Sequence, residues 1–151
     1  MDYEEDSMVI FNNPNFRTVS NLISNQIWDK NNLIIDGIMC TAGDMKLIAD
    51  TFTGNRVIFY EMELTEKQLL ELVKWDGPHL KFNFCGHDNY DFNMFFRIMN
   101  QWEGELLTIG YQDIPRIYTI KDPSYNITFE ECNVERYLDF PNAISFPCWP
   151  Y

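Results

Sequence analysis

Six short strand-like openings recur along this chain at nearly constant spacing: "VIFNN" from Val9, "LIIDG" from Leu33, "VIFYE" from Val57, "LKFNF" from Leu80, "LLTIG" from Leu106 and "ITFEE" from Ile127. Their starts lie 24, 24, 23, 26 and 21 residues apart. A period in the twenties is the signature of a strand-plus-helix repeat of the leucine-rich-repeat kind. Each unit is too small to bury its own apolar face and must stack on its neighbours.

The residues inside each opening agree with that frame. First and third positions are Val9/Phe11, Leu33/Ile35, Val57/Phe59, Leu80/Phe82, Leu106/Thr108 and Ile127/Phe129, of which only Thr108 is not apolar. Period-two geometry sends such positions to one face of a sheet, toward a core. Helical patterns fill the intervals. Thr65 and Gln68 have capping-box spacing ahead of Leu69, Leu70, Leu72 and Val73, which read as an apolar stripe. Val19, Leu22, Ile23 and Ile27 recur at helical steps in the first unit, and Phe92, Phe95, Phe96, Met99 and Trp102 in the fourth, with Asp88 or Asn89 as caps. The second helix, around 45–52, is shorter. A helix between successive strands acts as a crossover, so the strands are expected to run parallel. The fold class expected is therefore α/β: a single-domain solenoid over 1–151, with repeats starting near 9, 33, 57, 80 and 106. An irregular C-terminal cap over 127–151 follows, where "FPNAISFPCWPY" has three prolines and no period.

Composition narrows the function by exclusion. The chain carries 23 acidic against 11 basic residues, a formal charge of −12. That balance repels nucleic acid and anionic membrane, so neither is an expected partner. No apolar run approaches the roughly 20 residues that span a bilayer. Cys40, Cys85, Cys132 and Cys148 form no C-x-x-C pair, so reduced thiols in a cytoplasmic or nuclear compartment are expected. The acidic opening "MDYEEDS" is unlike a signal or transit peptide.

The best catalytic candidate is "CGHDNYD" at 85–91, where Cys85, His87, Asp88 and Asp91 gather a thiol, an imidazole and two carboxylates. Such a set can hold a metal or pair Cys85 with His87 as nucleophile and base. In the repeat frame, however, it is the turn from the fourth strand into its helix, with Gly86 easing the turn and Asp88 capping. The expectation is no active site, no metal and no cofactor. No phosphate loop, G-x-S-x-G or H-E-x-x-H is present.

"VIFYEMELTEKQLLELVKW" and "DFNMFFRIMNQWEGELLTIG" resemble the repeat region that follows the F-box in the expanded nematode F-box proteins. There a helix ending near a tryptophan leads into a leucine-rich strand; Phe95, Trp102, Leu106 and Ile109 match that arrangement. The resemblance covers roughly residues 30–113 and implies substrate capture for a ubiquitin ligase. The F-box itself, with its leucine-proline start, is not recognisable ahead of the repeats.

The expected function is non-catalytic binding of another protein through the face of the sheet turned away from the helices. Ile34, Asp36, Ile58, Tyr60, Lys81 and Asn83 stand at the intervening positions of three successive rungs, with Asp36, Tyr60 and Asn83 in one row. An apolar stripe Ile10–Ile34–Ile58 beside solvent would be an interaction signal. Two alternatives stay open: an acidic inhibitor, immunity or viral counter-defence protein that blocks a basic site, and a structural component of a virion or other assembly. A small hydrolase using Cys85 and His87 is the weakest reading.

Overall fold

The computed structural model describes residues 7–11, 31–36, 40–84, 90–110, 113–114, 123–130, 133–134 and 143–145. In chain order these form β1 (Ser7–Phe11), β2 (Asn32–Asp36), α1 (Ala42–Thr51), β3 (Arg56–Tyr60), α2 (Glu66–Leu72), β4 (His79–Asn83), α3 (Phe92–Met99), β5 (Leu106–Gly110), β6 (Asp113–Ile114), β7 (Asn126–Glu130), β8 (Asn133–Val134) and β9 (Ala143–Ser145). The fold is α/β. Seven strands make one sheet in the order β1-β2-β3-β4-β5-β7-β9, every neighbour parallel. A strand thus pairs with the next strand in sequence, apart from β6 and β8, which form a separate two-stranded parallel pair. The first helical pattern, Val19 to Ile27, lies outside the described residues.

Local chemistry starts each helix. Thr65 Oγ1 accepts from the Gln68 amide at 3.3 Å while Gln68 Oε1 accepts from the Thr65 amide at 2.7 Å. This reciprocal box satisfies two amides that the first turn leaves without partners. Thr41 and Asp44 make a second box at the start of α1, at 3.1 and 2.8 Å. The α3 cap is Asp91, whose carboxylate accepts from the Met94 amide at 3.0 Å. That corrects the expected cap at Asp88. Asp91 stands three residues before the amide it satisfies, the reach a short side chain needs, whereas Asp88 and Asn89 lie outside the described residues.

One core joins the helices to the sheet. Met45 and Ile48 of α1, Leu69 and Leu72 of α2, and Phe92, Phe95, Phe96 and Met99 of α3 pack in the same cluster as Leu33, Ile35, Val57, Phe59, Leu80, Phe82, Leu107, Ile109, Ile127 and Phe129. The three helices therefore share one side of the sheet. Phe59 and Phe82 stack on adjacent rungs with ring centres 5.1 Å apart, and Phe95 meets Phe82 edge-on at 4.9 Å. Leu70, expected in the apolar stripe of α2, is instead exposed, because the short helix turns only Leu69 and Leu72 inward.

Register brings two further corrections. Leu106 pairs with His79, and Leu107 and Ile109 pair with Leu80 and Phe82. The inward pair of β5 is therefore Leu107/Ile109, both fully buried, rather than Leu106/Thr108. The one polar exception in the sequence pattern disappears. At the other edge Met8 and Ile10 stand opposite Leu33 and Ile35, so Val9 rather than Ile10 lies in line with Ile34 and Ile58. Segment 127–151, expected as an irregular cap, contributes most of β7 and all of β9 to the main sheet.

Candidate protein-binding edge

On the sheet face opposite the helices the side chains fall into three rows. The first holds Asn32, Arg56, His79, Leu106 and Asn126; the second Ile34, Ile58, Lys81, Thr108 and Thr128; the third Asp36, Tyr60, Asn83, Gly110 and Glu130. Neighbours within a row are about 4.8 Å apart, the spacing of hydrogen-bonded strands. All six residues expected at the binding face are brought onto this one face, and Asp36, Tyr60 and Asn83 are indeed consecutive in one row.

Exposure separates them. Ile34 and Ile58 are 2% and 4% exposed, and Asn83 is 4% exposed. The expected open apolar stripe is therefore not open, and these three residues are not surface anchors. The physical reason is that a parallel sheet buries both faces more often than one, so alternation of apolar and mixed positions does not by itself identify a wet side. Asp36 and Tyr60 keep partial exposure at the carboxyl ends of their strands.

Polar side chains tie the rows together laterally. Arg56 Nε donates to Asn32 Oδ1 at 3.1 Å, and His79 Nε2 lies 2.8 Å from Thr108 Oγ1. Lys81 Nζ meets Glu130 Oε2 at 3.0 Å; the lysine side chain is 17% exposed and the glutamate 41%. Lys81 is on β4 and Glu130 on β7, so their ion pair passes over β5 between them. Lys81 stands in the second row and Glu130 in the third, so the pair runs diagonally across β5, whose third-row residue is Gly110. A Cβ built there would sit 2.4 Å from Asn83 Oδ1 and 3.4 Å from the Glu130 carbonyl oxygen. Asn83 thus leans into the room the missing side chain leaves, and its Oδ1 is buried without a hydrogen-bond donor among the described residues.

The third row continues into charged chain. Glu61 follows Tyr60 directly, is exposed, and has φ 56°, a left-handed conformation that a non-glycine residue rarely holds. Its amide donates to the Asn83 carbonyl at 2.8 Å, extending the ladder one residue past the strand. Asp91, at the same end of the neighbouring unit, is exposed as well.

Of the "CGHDNYD" cluster, Cys85, His87 and Asp88 lie outside the described residues, and Asp91 is engaged as a helix cap. Among the described residues no group of three or more His, Cys, Asp or Glu side chains is placed to hold a metal ion, and no helix is long and apolar enough to cross a membrane. Cys40 is buried; desolvation, reinforced by the Asp44 carboxylate, pushes its thiol up to about 12. That keeps the sulfur protonated and poor as a nucleophile.

The sequence reasoning missed Gly110, Glu130 and Glu61. Gly110 was legible, since a glycine inside a strand pattern marks a close approach by another group. Comparison of the chain with protein-family models, with curated proteins and with solved structures found no match.

Proposed function

We propose that this chain is a non-catalytic protein-binding module, a leucine-rich-repeat-like solenoid that holds a partner at the carboxyl ends of its strands. The observation that carries the reading is the third row: Asp36, Tyr60, Asn83, Gly110 and Glu130 stand side by side on consecutive rungs of one sheet. A row fixed by backbone pairing is rigid before any partner arrives, so little ordering entropy is lost on contact. A tyrosine among hydrogen-bonding and charged groups is the composition of an interface centre. The contact set is then Asp36, Tyr60, Glu61, Lys81 and Glu130. Ile34, Ile58 and Asn83 serve beneath it as support. The resemblance to the repeats of F-box proteins favours substrate recognition as the purpose of that contact.

A photo-crosslinking amino acid at position 60 tests the reading, with position 46 on the outer helix surface as the control. Crosslinks to one discrete protein from position 60 alone support it. Equal capture from both positions would discard it.

The acidic-inhibitor reading is favoured by a different observation. Asp76, Glu103 and Glu105, all exposed, lie in the turns that enter β4 and β5, at the opposite end of the strands from Tyr60. Salt distinguishes the two: a charge-driven complex weakens steeply between low and physiological ionic strength, a shape-driven one much less.

A further inference from the structure

We draw no further inference here: the strongest candidate, the basic patch of Arg56, His79 and Lys81 on the sheet face opposite the helices, carries nothing, because these side chains already engage Asn32, Thr108 and Glu130 within the fold and nothing in the structure shows what covers them.

Discussion

The indole N–H of Trp102 donates to the backbone carbonyl of Trp75, 27 residues earlier, at 3.0 Å. Trp75 does the same to Phe52, at 2.9 Å, so the turns entering β4 and β5 each hydrogen-bond back to the turn before through an indole. Beneath each indole lies a glycine two residues on. A Cβ on Gly77 or Gly104 would come within 1.9 Å of the ring. Aromatic, spacer and glycine thus act as a unit at the entrance to β4 and β5, and the buried turn carbonyls find donors that water cannot supply there.

Gly104→Ala and Gly77→Ala should each destabilise the protein by about 2 kcal/mol or more, because the new methyl displaces a fully buried indole. Gly43, in the first turn of α1, has only Thr41 Oγ1 at 3.6 Å from its virtual Cβ. Gly43→Ala should be neutral or stabilise by about 0.5 kcal/mol through the unfolded chain. Urea unfolding of the three variants is the measurement, and a similar loss in all three would remove the stacking explanation.

Phe59 and Phe82 are stacked in the centre of the core, both essentially without exposure. Replacing either with Ala should cost roughly 3–5 kcal/mol. A loss below about 1 kcal/mol in chemical denaturation would mean that the inward register is wrong. Because the rings touch, the double variant should lose less than the sum of the two singles.

Removing the α2 cap with Thr65→Ala should cost about 1 kcal/mol, and Asp91→Ala a similar amount at α3. Asp91→Asn keeps an acceptor for the Met94 amide and should recover most of that loss. If the asparagine variant is no better than the alanine, the carboxylate is serving something other than the helix. Thermal unfolding by circular dichroism at fixed pH gives the comparison.

Stability should fall on the alkaline side. Burial, with help from Asp44, raises the Cys40 thiol from 9.0 to about 12. Burial also raises the hydroxyls of Tyr90, which donates to the Leu64 carbonyl at 2.7 Å, and of Tyr125 above their usual value. In each case the folded state holds a proton that the unfolded chain releases first. The folded state then binds more protons than the unfolded, and stability decreases as pH rises. The contribution is fully present below pH 9.0 and is lost progressively as pH approaches about 12. Cys40→Ser should move the onset of that decline to higher pH, where the tyrosines begin to ionise. Denaturation midpoints between pH 7 and pH 11 check it, and a flat profile would contradict the burial of all three groups.

The alternation of strand and helix was legible in the sequence because it is a local property. A strand needs alternating apolar positions, a helix needs its stripe and cap, and both are written in short stretches such as residues 57 to 75. Parallel pairing followed as well, since a helix between successive strands acts as a crossover. The slip at β5 was avoidable: an aromatic stands four residues before the first residue of β2, β3, β4 and β5 alike (Trp28, Phe52, Trp75 and Trp102), and that spacing places Leu106 opposite His79. What local pattern could not decide was exposure. Ile34 and Ile58 sit at positions that alternation leaves for solvent, yet both are buried, because burial depends on everything that packs on a face and not on the strand's own residues. For the same reason the approach of Lys81 to Glu130 could not be read from the chain. The two are 49 positions apart in sequence and meet only because the sheet lays β5 between their strands.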